Sequence, residues 1–456
     1  MKWVSSRGAS PPVPFIDALF AGTAPDGGLY MPERLDSLSP DQLAAIRAAN
    51  GDIVEIGTIV GAHLLRDEIS VSDMRAIVRD ALDFPIPLVP VTENISALEL
   101  FHGPTMAFKD VGARTQARLL HHFTDGTPLT ILVATSGDTG SAVAQAFHGV
   151  PDTRVVVLYP EGKVTDVQEA QMASLGGNII AVAVQGTFDD CQRLVKEAFA
   201  DDDLRSHVWL TPANSINLGR LLPQVFYYFV LAGVGPAAAG PYDRGGPAEA
   251  GPYDRREPGR RLVVSVPSGN FGNLTAGLIA KRIGLPVERF VAATNVNDVV
   301  PEYLRTGEYK PRASVKTVAN AMDVGAPSNF ERMRAMYGAS FEALRCDIVG
   351  AAFDDETVVA EIRAVWQRHG YLLDPHGAIA WLGLREVLAT APGSGPGVFL
   401  ATAHPAKFRE VVEPAIGQAI PLPPPLAEAI TRPRHSEHLP VDYPVLKKLL
   451  LAQSRH

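Results

Sequence analysis

The chain has only two cysteines, Cys191 and Cys346, in 456 residues. Two thiols cannot form a disulfide scaffold or a multi-cysteine metal cluster, so we expect both to be small buried side chains. The adjacent histidines His121 and His122 have no cluster of carboxylates or thiols beside them. The sequence therefore predicts no metal site.

The chain also lacks a long apolar run and a basic tract. No stretch of 18 uncharged apolar residues occurs, and Met1–Arg7 leads into polar, proline-rich sequence. We therefore expect no membrane span and no secretory signal, which favours the cytoplasm. The 41 basic and 50 acidic residues give a net charge of −9, so no nucleic-acid partner is expected. Hydrophobic residues make up 46%, enough for substantial cores.

Residues 1–95 differ from the rest and predict a separate, mostly helical N-terminal domain. Helical patterns cover Pro40–Asn50, Ile53–Leu65 and Ser72–Leu82, and cap-forming residues precede the first of them. The proline-rich segment Phe84–Pro90 ends this part.

From residue 96 onward, hydrophobic strands alternate with helical segments. This alternation predicts an α/β fold with mainly parallel sheets covered by helices on both faces. Ligands of such folds bind beyond the carboxyl ends of the strands. The predicted strands are Leu129–Thr135, Arg154–Tyr159, Ile179–Val184, Leu262–Val266, Phe290–Thr294 and Val398–Thr402. The predicted helices are Ser141–Phe147, Val167–Leu175, Phe188–Phe199, Ile216–Ala232 and Leu274–Ile283.

One segment interrupts this pattern. Gly235–Gly245 (GPAAAGPYDRG) and Gly246–Arg256 (GPAEAGPYDRR) form a near-perfect tandem repeat. Their glycine, proline and alanine content cannot build a core, so we interpret residues 235–258 as a disordered surface insertion. A partner-binding segment is the alternative.

A lysine within Phe101–Asp110 carries the first chemical signal. Lys109 follows Phe108, which would help to desolvate its amine and lower its pKa. Such an amine can hold an aldehyde cofactor as a Schiff base. The alternative is a solvated lysine at a helix start.

Two glycine-rich turns and one threonine extend the signal. Ala134–Gly140 follows a strand and could bind a carboxylate, although an ordinary loop with an aspartate cap would look the same. Ser268–Leu274 opens a helix after another strand, where Gly269 and Gly272 would let the backbone approach a phosphate. Thr402 ends a strand and could hydrogen-bond a heterocycle nitrogen, or simply be a β-former. Together these features suggest a pyridoxal 5'-phosphate (PLP) enzyme.

The motifs and their order resemble the threonine synthase family, PLP enzymes of fold type II, the tryptophan-synthase-β-like fold. The resemblance runs from Met1 to about His438 and points to the bacterial and fungal branch, which carries the N-terminal domain. The motifs are Ser5–Gly8, Asp26–Pro32, Phe101–Asp110, Ala134–Gly140, Ala213–Asn217, Val266–Thr275, Ala293–Asp298, Asn320–Val324 and Thr402–Phe408.

The resemblance implies conversion of O-phospho-L-homoserine and water to L-threonine and phosphate. It implies that Lys109 is the Schiff-base lysine and proton shuttle, and that Thr402 faces the cofactor's ring nitrogen. The cofactor phosphate would be held by Gly269, Asn270, Phe271, Gly272 and Asn273. Thr135, Ser136, Asp138 and Thr139 match the loop that the family places around the substrate carboxylate and cofactor ring. Lys163, Asn214 and Arg220 are candidates for the substrate phosphate because they offer charge or amide donors at helix-start positions.

The resemblance also implies an arrangement of domains. A large PLP-binding domain would comprise residues 96–138 and 215–430, and a small mobile domain residues 139–214. It favours a monomer. Two rival functions stay open at this point: a threonine or serine dehydratase-like PLP lyase, and a PLP-binding protein without catalysis.

Overall fold

The computed structural model describes residues 1–124, 126–135, 137–233, 262–390 and 396–452. The predicted insertion at 235–258 lies outside these ranges. The strands are β1 (Trp3–Ser5), β2 (Tyr30–Pro32), β3 (Leu88–Pro90), β4 (Ile95–Glu99), β5 (Leu129–Ala134), β6 (Thr153–Pro160), β7 (Ile179–Val184), β8 (Leu210–Pro212), β9 (Leu262–Pro267), β10 (Val287–Thr294), β11 (Ile348–Ala352), β12 (Gly397–Ala401) and β13 (Glu437–Leu439).

Helices alternate with these strands along most of the chain. They are α1 (Phe15–Ala21), α2 (Pro40–Ala48), α3 (Ile53–Leu64), α4 (Val71–Ala81), α5 (Lys109–Phe123), α6 (Asp138–Phe147), α7 (Asp166–Ala173), α8 (Phe188–Ala200), α9 (Asp202–His207), α10 (Leu218–Leu221), α11 (Gln224–Gly233), α12 (Gly272–Arg282), α13 (Val299–Thr306), α14 (Phe330–Met336), α15 (Phe341–Asp347), α16 (Asp355–His369), α17 (Pro375–Thr390), α18 (Arg409–Ile416), α19 (Pro424–Thr431) and α20 (Tyr443–Ala452). Short 3₁₀ helices cover Asn320–Met322 and Pro405–Phe408. None of the helices in the described ranges is long and apolar enough to cross a bilayer.

The N-terminal part is mostly helical, as predicted. Its helices α2, α3 and α4 begin at side-chain caps, because Ser39, Asp52 and Ser70 each accept a hydrogen bond from a first-turn N–H group. The antiparallel pair β1–β2 adds a small two-stranded sheet that the sequence prediction missed. Strands of three residues carry too few side chains for a periodicity signal.

Two mainly parallel sheets form the rest of the fold. The six-stranded sheet has the order β11-β10-β9-β12-β4-β3, in which only β3 is antiparallel to its neighbour. The five-stranded sheet has the order β13-β7-β6-β5-β8 and is parallel throughout. Every residue of β9 and β12 is buried, which explains their continuous apolar sequences. All six predicted strands are confirmed.

The sheets do not follow the predicted domain limits. Strand β5, predicted in the large domain, is an inner strand of the five-stranded sheet. Near the end of the chain, β13 pairs with β7 of the same sheet. The five-stranded sheet therefore contains strands from both sides of the predicted boundary at residue 138, together with a strand from the C-terminal segment. The domain limits themselves stay a prediction. The helix predicted over Ile216–Ala232 is divided into α10 and α11, because Pro223 lies between them.

Candidate active site

Lys109 is the first residue of α5 and is held against the end of β12. The Phe108 N–H donates to the Thr402 carbonyl oxygen at 2.8 Å, and the His404 N–H donates to that of Met106 at 3.0 Å. Ala107 and Ala403 form an antiparallel bridge between these bonds. Backbone pairing therefore places Lys109 and Thr402 together, at the carboxyl end of β12.

The electrostatic surroundings of Lys109 favour the neutral amine. The residue is part-buried, and desolvation lowers the pKa of its ammonium from the usual 10.5 to about 8. The positive charges of Lys407 and Arg220 lower this pKa further, whereas the Asp138 carboxylate raises it. A lysine with such a pKa keeps a useful fraction of nucleophilic amine near neutral pH.

The turn between β9 and α12 forms an anion site. Phe271 has a φ of 59°, an uncommon left-handed conformation for a bulky residue, and it gives α12 no side-chain cap. No group in the described parts of the chain accepts a hydrogen bond from the backbone N–H groups of residues 270–273. Free N–H groups at a helix start, together with the helix dipole, suit a phosphate. The residues present therefore fit the phosphate of PLP.

The polar side chains of this turn shape it and are already engaged. Asn270 donates to the Ser215 hydroxyl and accepts from the Ser328 N–H. Asn273 donates to the Pro267 carbonyl oxygen at 2.8 Å and accepts from the Leu274 N–H at 3.0 Å. Asn270 and Asn273 can therefore bind a phosphate through their backbone N–H groups, because their side chains are already hydrogen-bonded.

The two glycines of the turn differ in their surroundings. A Cβ on Gly269 would lie 2.5 Å from the Ala321 carbonyl oxygen, so Gly269 is needed for protein packing. A Cβ on Gly272 would meet its nearest protein atom, Asn329 Nδ2, at 3.4 Å. Gly272 therefore has room around it that a ligand could use.

The turn at 135–140 is held by its own hydrogen bonds. The buried Thr135 hydroxyl accepts from the N–H groups of Gly137 (2.9 Å) and Gly140 (2.8 Å) and donates to the Gly137 carbonyl oxygen. That hydroxyl is thus occupied in shaping the start of α6. Thr139 is part-exposed, and Ser136 lies outside the described residues.

Asp138 of the same turn is buried and ionised. Burial alone would raise its pKa, but the charges of Lys407 and Lys109 outweigh that effect and hold the pKa well below its usual range. Its carboxylate would repel a substrate carboxylate, so its side chain is better suited to pairing with a cation. The structure supplies that cation as Lys407, 2.8 Å away.

Among the predicted substrate-phosphate residues, Arg220 and Asn214 lie together and Lys163 does not join them. Arg220 is buried, donates from Nη1 to the Ala213 carbonyl oxygen at 2.6 Å, and has no partner for Nε. Burial lowers the pKa of Arg220 to about 10, and the group remains charged at neutral pH. Asn214 Oδ1 is also without a partner. Lys163 is exposed on the turn after β6, and its charge acts on Cys191. Cys191 is buried as expected, whereas the expectation of a buried Cys346 was wrong, because that residue is exposed.

Two groups near the site were not assigned a role from the sequence. One is Lys407, which lies in the noted segment Thr402–Phe408. The other is His376, whose Nε2 accepts from the Ala321 N–H at 3.3 Å while Nδ1 bonds Asp374 at 2.7 Å. The His376–Asp374 pair therefore supports the backbone at Ala321, against which Gly269 packs. Because residues 269, 321 and 376 are far apart in the chain, no sequence spacing could have indicated this contact.

A lysine with a lowered pKa, a set of free N–H donors that suits a phosphate, and a threonine follow three strands of the six-stranded sheet, β4, β9 and β12 respectively. This arrangement defines a PLP-dependent enzyme of fold type II. In agreement, residues 87–402 match the family model described as pyridoxal-phosphate dependent enzyme. Residues 2–82 match threonine synthase N terminus, and residues 378–450 match threonine synthase, C-terminal.

Similar proteins extend over the whole chain. Threonine synthase from Escherichia coli (strain K12) is 43% identical over 451 residues, covering 99% of each chain. The crystal structure of an Escherichia coli threonine synthase matches with a TM-score of 0.88 at 42% identity, covering 99% of this chain and 100% of that one. A PLP-bound threonine synthase from Brucella melitensis matches with a TM-score of 0.89 at 36% identity, covering 100% of both chains. The chain belongs to the threonine synthase family of PLP-dependent lyases.

Proposed function

We propose that this enzyme converts O-phospho-L-homoserine and water to L-threonine and phosphate. The observation that carries the proposal is the position of Lys109, which lies next to the strand end at Thr402 and within the field of Asp138 and Arg220. The chain around this lysine is similar to threonine synthases along its whole length. Bound PLP would supply an electron sink for the charge that develops when a Cα proton is removed. The remaining tasks fall to the protein.

Lys109 is proposed as the residue that holds the cofactor aldehyde and then moves the Cα proton. Its amine is part-buried and its pKa is about 8, which suits both tasks near neutral pH. The free N–H groups of residues 270–273 would hold the cofactor phosphate. The hydroxyl of the buried Thr402, just beyond the carboxyl end of β12, would meet the ring nitrogen as a neutral group.

Arg220 and Asn214 are proposed at the substrate phosphate. A buried arginine with an unpaired N–H presents both charge and donors to a dianion. The backbone N–H groups at the start of α6 are proposed for the substrate carboxylate, since the side chains of Thr135 and Asp138 are engaged elsewhere. Fewer side chains are thus proposed to bind the substrate than the sequence predicted. Lys163 is left out, because no contact among the described residues places it near Arg220 or Asn214.

Exclusion of water would protect reactive intermediates from hydrolysis, so we propose that part of the five-stranded sheet region, residues 139–214, closes over the substrate. We also propose a cytoplasmic, monomeric enzyme without a nucleic-acid partner. These three points rest on the resemblance and on composition.

A product assay separates the proposal from its rivals. The holoenzyme is incubated with O-phospho-L-homoserine, and released phosphate and L-threonine are measured together, with 2-oxo acid measured as a side product. Equal amounts of phosphate and threonine are expected. In parallel incubations, L-threonine or L-serine replaces O-phospho-L-homoserine. Keto acid formed from these two amino acids, without threonine formed from O-phospho-L-homoserine, would favour a dehydratase. A cofactor spectrum without turnover of any of these substrates would favour a non-catalytic PLP-binding protein.

A further inference from the structure

Lys407 and Asp138 form a buried ion pair. The distance from Lys407 Nζ to Asp138 Oδ1 is 2.8 Å, and the two side chains are 0% and 4% exposed. Among the lysine and arginine ion pairs of the described residues, this is the only one in which both side chains are buried. Burying two charges is costly, so the pair calls for a functional explanation.

The pair connects the two large sheets next to Lys109. Lys407 lies in the 3₁₀ helix that follows β12, whereas Asp138 begins α6 directly after β5. Lys407 Nζ also donates to the Thr105 carbonyl oxygen at 2.8 Å, and Gln168 Nε2 donates to Asp138 Oδ1 at 3.1 Å. Both charged groups are therefore fixed by neutral partners as well as by each other.

The two members of the pair act on Lys109 in opposite directions. The Asp138 carboxylate raises the pKa of Lys109, and the Lys407 ammonium lowers it. Without Lys407, the effect of the Asp138 carboxylate on the pKa of Lys109 would lose an opposing charge, and the protonated form of Lys109 would be favoured more than in the wild type. Among the described residues, three further charged or titratable groups act on Lys109, Asp138 or Lys407, or are acted on by them: Arg220, Asp110 and His404.

We propose that Lys407 is a positioning residue that ties the Asp138 turn to the six-stranded sheet and cancels the field of Asp138 at Lys109. The amine of Lys109 is thereby kept available for reaction near neutral pH. The inference rests on the proposed function only in taking Lys109 as the reactive lysine.

The test measures the reactivity of Lys109 itself in the full-length chain freed of cofactor. Trace acylation by an amine-reactive anhydride is followed across pH, and the Lys109 peptide is quantified by mass spectrometry. The variants are Lys407→Met, Asp138→Asn and the double variant. Lys281→Met is the control, because it breaks a lysine–aspartate contact of 2.7 Å with Asp347 that is outside the site.

The two single variants should shift the titration midpoint of Lys109 in opposite directions. Lys407→Met should raise it by about one pH unit, which makes Lys109 about tenfold less reactive at pH 7. Asp138→Asn should lower it, because Lys407 then faces Lys109 without compensation. The double variant and Lys281→Met should titrate near the wild type.

The proposal would be overturned if both single variants shifted the Lys109 midpoint in the same direction, or if neither shifted it. A pair with a purely structural role gives no reason for the two midpoints to move in opposite directions. Circular dichroism checks folding. If Lys407→Met does not fold, the double variant must still titrate at a higher pH than Asp138→Asn. Attachment of the cofactor to another lysine would be seen by peptide mapping of the holoenzyme and would leave these midpoints unchanged, so the two failures are distinguishable.

Discussion

Lys109 carries a cost of burial that depends on pH. Its pKa falls from 10.5 in the unfolded chain to about 8 in the folded chain, so the unfolded state binds a proton more tightly. The lowering of the free energy of unfolding is therefore greatest below about pH 8, and it disappears as the pH rises from about 8 to 10.5. In the cofactor-free chain, Lys109→Met should therefore be more stable than the wild type at pH 7, by up to about 3 kcal/mol.

Urea unfolding at pH 7 and pH 10 measures this difference. We expect the advantage of Lys109→Met to shrink at the higher pH. The same substitution at the exposed Lys163 is the control and should change little at either pH. An advantage of equal size at both pH values would contradict a part-buried Lys109 that titrates in this range.

Thr402 tests the neutral partner proposed for the cofactor ring. Thr402→Val keeps the shape of the side chain but removes its hydroxyl, which would leave a buried ring nitrogen unpaired at a cost of ~1–3 kcal/mol. Cofactor affinity, measured by absorbance titration, should fall accordingly. Thr402→Ser keeps the hydroxyl and should retain most of the affinity. Equal affinity for all three proteins would place Thr402 away from the ring nitrogen.

At the scale of elements, the sequence was most informative where a local rule decides the structure. Capped helices such as α2 and α3 and the apolar strands β7 and β9 were predicted to within one or two residues. The start of α12 was found because a glycine-rich turn follows a strand. The sequence could not show that Gly269 packs against Ala321, because that contact joins segments that only the folded chain brings together.

The two glycines at the start of α12 should respond differently to alanine. In the cofactor-free chain, Gly269→Ala should be clearly destabilised, because its Cβ would lie 2.5 Å from the Ala321 carbonyl oxygen and 2.9 Å from the Met322 Cα. Gly272→Ala should fold with nearly unchanged stability but bind PLP more weakly, since its methyl group would enter space beside the free N–H groups. Thermal unfolding without cofactor and absorbance titration with PLP separate the two effects. A Gly269→Ala variant as stable as the wild type would contradict the packing role.

At the scale of the whole molecule, the C-terminal segment belongs with the five-stranded sheet. Strand β13 pairs with β7, and Leu446 and Leu450 of α20 are buried in the core cluster of that sheet. Arg434 bonds Asp166 at 2.7 Å. No sequence pattern within the last thirty residues or so indicates which sheet they join, because strand partners far apart in the chain leave no local periodicity signal.

Truncation after residue 432 should therefore weaken one sheet selectively. Hydrogen exchange should become faster in β6 and β7, because β7 becomes an edge strand and the apolar face of α8 loses its cover. Exchange in β9 and β12 should change little. Equal loss of protection in both sheets would show that the two do not behave as separate units.

The central claim is that Lys109 is the lysine that binds the cofactor. Another lysine, the buried Lys407, lies in the same site and is the alternative attachment point for the cofactor. Borohydride reduction of the holoenzyme, followed by peptide mapping, fixes the cofactor to its lysine. We expect the pyridoxyl group on Lys109 and none on Lys407. A pyridoxyl group on Lys407 or on any lysine other than Lys109 would contradict it.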